Sequence, residues 1–349
     1  MVSFFLRRAP SVSRVGAMGV LGVGAMGVAH TIAFSSEASL AAKSTVQPLS
    51  TTIASPSRPT TVLIHGLDSS KQTWSSVLAD LQRAGYPAFA VDLRGHGESP
   101  LGSPAEFSPS ALAADVAACM VQQQWKGEGR RFVVVGHSMG GRIAMRLAAD
   151  FPDLVQALVV EDMCTTPRVK PEPPSPGAFD AATLLKLFGD GSGGRVFKSF
   201  AKAKDTLLPW YDAARIDSWE GKRIRRQPGS GSWWSDINPL AANLARDTVL
   251  GTEDGRRAWK DLSSGGGGAD GKRDFPVHLW VADRKQTVCF WEGDDGIDGM
   301  KKAMPRAAVR EWPGAAHSIH NTDREEFVAA LRKIIDEAAA AAAAAGGSS

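Results

Sequence analysis

The run Phe132–Gly136 is continuously apolar and ends in Gly136-His137-Ser138-Met139-Gly140, after which Met139 to Phe151 has the composition of a helix. A strand that turns into a helix within one residue leaves few folds open. Its apolar run is the signature of a strand buried on both faces, at the centre of a parallel sheet. The pentapeptide is G-x-S-x-G in the strand–turn–helix setting of a nucleophile elbow. Its glycines are needed because a side chain at 136 or 140 would meet the neighbouring backbone. The turn lifts the Ser138 hydroxyl above the sheet, at a helix N-terminus whose dipole favours developing negative charge.

The rest of the chain repeats the same rhythm. Thr60–Ile64 and Ala88–Asp92 read as strands. Trp74–Ala84 has Trp74, Val77, Leu78 and Leu81 at helical spacing, and Ser108 can cap a helix running to about Gln124. A strand follows at Ala157–Glu161. Strands alternating with helices of this length predict an α/β fold with a mostly parallel, doubly wound sheet. The rhythm breaks near Met163. Residues 164–178 are rich in proline and charge, helical pieces bearing Trp210, Trp219, Trp233 and Trp234 follow, and a Ser-Ser-Gly-Gly-Gly-Gly run occupies 263–268. The sheet resumes at Pro276–Ala282. A helix near 296–303, a strand at Ala307–Trp312 and a helix at Asp323–Glu337 complete it. The expected organisation is a core over 55–162 and 274–337, an inserted helical unit over 163–273, and a low-complexity tail over 338–349.

The leader, residues 1–50, has a different character. Arg7, Arg8 and Arg14 precede the first acidic residue, Glu37, and serines recur at 3, 11, 13, 35 and 36. That is the make-up of an organelle transit peptide. The alternative is a membrane anchor or secretory signal over Val15–Phe34, which has the length of a span but is broken by glycines and contains His30. Gly22-x-Gly24-x-x-Gly27 matches a dinucleotide fingerprint in form. No strand precedes it and GAMGV recurs at 16–20 and 24–28, so it reads as Gly/Ala bias. Forty Lys and Arg balance 37 Asp and Glu, a net charge of +3 that gives no reason to expect nucleic acid as a partner. Cys119, Cys164 and Cys289 are widely spaced and odd in number, which speaks against a disulfide framework or a zinc set and for a reducing compartment.

A nucleophilic serine needs a base and a group that orients it. In the elbow-type chain order the base comes last. His317, in Pro-Gly-Ala-Ala-His-Ser just past the last strand, is the candidate, with His320 as competitor. Two carboxylates compete to be the acid. Asp162 ends the strand after the elbow helix, and Asp283 follows the strand that leads out of the insertion. The usual acid loop after that later strand reads G-x-x-D-x-x-V, yet counting back from Val288 finds Lys285 at the acid's place, with Asp283 two positions early. Asp162 is therefore favoured, Asp283 is the alternative, and Glu161 a more remote one.

HGLDSSKQTW at 65–74, VDLRGHGES at 91–99, VVVGHSMGGRIAMRLA at 133–148, VVEDMC at 159–164 and GAAHSIH at 314–320 together resemble the α/β-hydrolase fold family. Within it they are similar to the esterase branch of ABHD11-like proteins and bacterial YbfF-like esterases, with Trp234-x-x-x-Asn238 as a looser echo. The resemblance covers about residues 60 to 336. It implies a lidded acyl-ester hydrolase without metal or organic cofactor, the 163–273 insertion being the lid. It also implies an acid at Asp162, as in the bacterial members, and an oxyanion hole formed by the amides of Leu67 and Met139. His65 then reads as a structural, hydrogen-bonded residue. The animal members are mitochondrial, in keeping with the basic leader, although a plastid address fits the composition equally. The lid is longer here than in the branch, and its tryptophans suit an acyl chain, a lipid surface or a protein partner.

Ser138 excludes the relatives that carry aspartate at the elbow, such as haloalkane dehalogenases and epoxide hydrolases. Thioesterases and C–C bond hydrolases share the same three residues and stay open. The rival from another class is a partner-binding protein on a hydrolase scaffold, which would ordinarily have lost Ser138 or His317.

Overall fold

The computed structural model describes residues 48–51, 58–123, 131–168, 188, 195–264 and 275–346, all within one compact unit, Ser35–Ser349. Its main sheet has seven strands: β1 (Pro48–Thr51), β2 (Thr61–Ile64), β3 (Ala88–Val91), β4 (Phe132–His137), β5 (Val155–Glu161), β9 (Val277–Ala282) and β10 (Ala308–Trp312). Their spatial order is β1-β3-β2-β4-β5-β9-β10. Only β1 runs antiparallel to its neighbour. This edge strand overlaps the end of the 1–50 span expected to be leader; the rest of that span, residues 15–34 included, lies outside the described residues.

Side chains alternate between two faces along each strand, as a period of two requires. Val62, Ile64, Val134, Leu158 and Val160 face one buried layer. Leu63, Val133, Val135, Ala157 and Val159 face the other. The first layer is closed by α2 (Pro109–Gln123) and α3 (Met139–Asp150), through Leu112, Val116, Ile143 and Leu147. The second is closed by α1 (Ser75–Arg83) and the terminal helix α9 (Arg324–Gly346), through Val77, Leu81, Phe327 and Leu331. The central strands are buried on both sides, which is why they read as unbroken apolar runs.

The strands are in register at their carboxyl ends: Ile64 pairs with Gly136, His137 with Glu161, and Ala282 with Trp312. The loops that follow β2, β4, β5, β9 and β10 therefore open on one edge of the sheet, where open α/β sheets bind ligands.

The described part of the 163–273 insertion is mixed rather than helical. It has α4 (Phe200–Leu207), α5 (Ala213–Asp217), α6 (Pro239–Ala245) and α7 (Asp254–Ser263), but also β6 (Val196–Phe197), β7 (Ile224–Arg226) and β8 (Trp233–Ser235), paired antiparallel in the order β6-β8-β7. Strands of two or three residues are too short to display alternation, so no sequence period announces them. Helix α7 lies on the core: Arg146 of α3 bonds Asp261, and Trp259 donates to the carbonyl of Met300. That carbonyl belongs to α8 (Ile297–Ala303). Among the described residues, no helix is long and apolar enough to cross a membrane.

Candidate active site

Strand β4 ends at His137 and α3 begins at Met139, so Ser138 makes the whole turn, at φ 53° and ψ −122°. A non-glycine residue adopts such a backbone only where the surroundings impose it. A Cβ on Gly136 would lie 2.3 Å from the carbonyl oxygen of Gly140, and one on Gly140 would lie 2.5 Å from those of Ile64 and His65. The helix entry runs hard against its own strand and the end of β2, and only glycine fits at both points.

His317 follows β10. Its Nδ1 meets Oδ2 of Asp162 at 2.6 Å. A carboxylate accepts only, so Nδ1 carries a proton, and in the neutral ring the lone pair is on Nε2. The His317 carbonyl is held in turn by Nε2 of His137 at 3.1 Å. Asp162 is fully buried at the end of β5, itself at φ 46°. Three further donors grip its carboxylate: the amides of Ala282 and Val288, at 3.0 and 3.1 Å, and the hydroxyl of Thr287. Burial alone would raise the pKa of this carboxyl, but the bonds from His317, Thr287, Val288 and Ala282 outweigh it and hold the group below its ordinary value.

Asp283 lies elsewhere. It is half-buried, and its oxygens accept from the amides of Lys285 and Gly314, both at 2.9 Å, which caps two turns. His320 also faces away. Its Nδ1 bonds both oxygens of Glu161, at 2.8 and 3.0 Å, its Nε2 meets the Thr73 hydroxyl at 3.0 Å, and Trp74 stacks on its ring at 4.0 Å. Glu161 also accepts from the His320 amide at 2.9 Å. Burial pushes the Glu161 pKa up, but the neighbouring His320 and His137 bring it below the ordinary value. His137, Glu161 and His320 put ligand atoms within 4.8 Å of one another, a spacing a metal ion could use. Here the His320 donors and the Glu161 oxygens already satisfy each other, so the cluster works as a buried anchor under the His317 loop.

The 65–67 loop lies directly against the elbow: a Cβ on Gly66 would stand 3.1 Å from Cβ of Ser138. His65 is buried. Its Nδ1 donates to the Gly66 carbonyl at 2.7 Å, and its Nε2 accepts from the Leu93 amide at 3.1 Å. Burial brings its pKa down to about 4, so it is neutral near pH 7. Asp92 joins the same two motifs by accepting from the amides of Lys71 and Glu98, at 2.7 and 2.9 Å.

Thr287 and Val288 are the site residues that sequence reasoning passes over. Their signal was present in the acid loop, which keeps its valine and its length while the expected acid position is Lys285. The loop supplies donors to a carboxylate that comes from another strand.

The model of the alpha/beta hydrolase family matches residues 61–330. The chain belongs to the alpha/beta hydrolase family, in the ABHD11-like branch of its esterases and lipases. It is 37% identical over 274 residues to the sn-1-specific diacylglycerol lipase ABHD11 of Danio rerio, covering 77% of this chain and 76% of that protein. It is 30% identical over 206 residues to esterase Rv0045c of Mycobacterium tuberculosis, covering 54% of this chain and 65% of that one, just under two thirds of its length. The crystal structure of Rv0045c superposes with a TM-score of 0.51 at 22% identity, over 83% of this chain and 92% of that one, a likeness of fold.

Proposed function

We propose that the protein is a serine carboxylesterase that cleaves acyl esters through an acyl-enzyme on Ser138. The bond between His317 and Asp162 at 2.6 Å, with the His317 ring 4.6 Å from that of His137, the residue just before Ser138 in the strained elbow, is the observation that carries this reading. In the first step Nε2 of His317 takes the Ser138 proton as the hydroxyl attacks the ester carbonyl. Asp162, ionised and gripped by four donors, stabilises the imidazolium and keeps the proton on Nδ1. The Leu67 and Met139 amides receive the oxyanion, each such donor being worth a factor on the order of 100–1000 in turnover. His317 then protonates the leaving alcohol, activates a water, and the acyl group departs as the free acid. The chemistry proposed uses these side chains and amides without metal or organic cofactor.

The esterase and diacylglycerol lipase relatives favour an acyl ester or lipid as substrate, with the tryptophan-bearing insertion as the lid over it. The basic, acid-poor leader favours delivery to mitochondria, which a fluorescent fusion of residues 1–50 tests. Turnover of p-nitrophenyl esters of graded acyl length, beside Ser138→Ala, tests the chemistry. Activity that disappears with the hydroxyl supports it, and activity that survives in Ser138→Ala removes it.

A further inference from the structure

Leu67 is followed by Asp68, a non-glycine residue at φ 54°. Left-handed backbone is unfavourable for a non-glycine residue, so something must hold it there. The holders all come from the 163–273 insertion. The Tyr211 hydroxyl donates to Oδ1 of Asp68 at 2.7 Å, and Arg246 donates to Oδ2 at 3.0 Å. Arg223 donates to the Asp68 backbone carbonyl. The same Arg223 is fixed by Asp236 at 2.8 Å, and Asp236 accepts from the Ser70 hydroxyl at 3.1 Å. Two residues of the loop are thus tied to one network on the insertion.

The other end of the loop is tied to the core. His65 donates to the carbonyl of Gly66, and that carbonyl shares a planar peptide with the Leu67 N–H, which points the opposite way. His65 thus sets the plane of the amide from below, while Asp68 pins the next residue from above.

We propose that the insertion positions the oxyanion loop: Asp68, clasped by Tyr211, Arg223 and Arg246, is a positioning residue that aims the Leu67 amide. The proposal rests on the reading of Ser138 as nucleophile and Leu67 as oxyanion donor. It makes the lid a working part of the catalytic step as well as a cover. An amide off its line loses much of a preorganised donor's effect on the transition state and little of ground-state binding. The cost should therefore fall on kcat.

The test compares the full chain with Tyr211→Phe, Asp68→Asn and the double variant on p-nitrophenyl butyrate. Asparagine tolerates left-handed backbone, so Asp68→Asn removes charge without adding strain. Tyr211→Phe removes one hydroxyl and keeps the ring against Trp219. Each single variant should lose about tenfold in kcat with KM within about twofold, and the double should fall no more than about twofold below the worse single, since the two groups act as one unit. The rate of Ser138 labelling by a fluorophosphonate, read by intact mass, should fall in parallel and does not depend on the acyl group. Unchanged kcat and labelling, or a rise in KM alone, overturns the proposal. If either variant is unfolded at the assay temperature by thermal melt, Arg246→Gln, at the more exposed arm, takes its place under the same criteria. Ser138→Ala that still turns over ester would bring down the active-site reading itself, an outcome the clasp variants do not mimic.

Discussion

Asp162 and His317 are 155 residues apart in the chain and 2.6 Å apart in the fold. Three strands make that meeting. β5 carries Asp162 at its end, β10 leads to His317, and β9 between them sends out the loop whose Thr287 and Val288 hold the carboxylate from its other side. The Asp162 carboxylate is thus held by the loop of a neighbouring strand as well as by the imidazole.

Asp162→Asn should keep the fold and lower kcat by about 10⁴, since an amide at this position favours the wrong imidazole tautomer. Asp283→Asn should leave kcat within about twofold, because its oxygens serve the Gly314 and Lys285 amides and not His317. Steady-state kinetics of both on one ester decides the matter, and the reverse pattern would exchange their roles.

The low pKa of Asp162 predicts an acid limb of stability. A group depressed in the folded state contributes stability that is fully present above its unfolded value, about 3.9, and is lost as pH falls through the lower folded value. Thr287→Val removes one donor and raises the folded value, so less of this stability should be present above pH 4 and acid unfolding should set in at higher pH. Thermal melts of both proteins between pH 3 and 7 measure the difference. Coincident curves would mean the Thr287 bond contributes nothing.

Glu161→Gln should destabilise by about 3–5 kcal/mol, the usual effect of breaking a buried pair on one side. The glutamate is fully buried and accepts from both the ring and the amide of His320. Because that pair holds the loop carrying His317, kcat should fall as well. Urea titration read beside turnover would reveal a change in stability alone, which would separate the anchor from the chemistry.

Gly140→Ala sets a Cβ 2.5 Å from the carbonyls of Ile64 and His65. Backbone cannot yield there as a flexible side chain would, so the expected loss is at least about 3 kcal/mol or failure to fold. Ser138→Ala, which adds no atom, should melt within a few degrees of the wild type. Soluble yield and melting temperature of the pair make the comparison.

How much of this is legible in sequence depends on how local each feature is. The elbow occupies five consecutive residues between a strand and a helix, and every requirement of the turn is written in them. The unbroken apolar runs of the core strands are local in the same sense. The short strands of the insertion were not legible, because two or three residues display no period. The clasp on Asp68 was not legible either, since Tyr211, Arg223 and Arg246 reach it from 143 to 178 residues away.

By itself, the sequence determined the parallel strands of the sheet, the position of Ser138 and the short lists from which its helpers could come. His317 stood against His320, and Asp162 against Asp283, with residue types equal and only loop position and the displaced acid of the 283–288 loop to favour the first of each. In the fold it is His317 and Asp162 that meet. Parallel strands in register bring only the carboxyl ends to the reactive edge, and there the Asp162 and His317 loops converge. His320, three residues further on, turns to Glu161, and Asp283 is occupied by its own turns. Which group meets which is a matter of distance across strands, and that distance exists only once the sheet has closed.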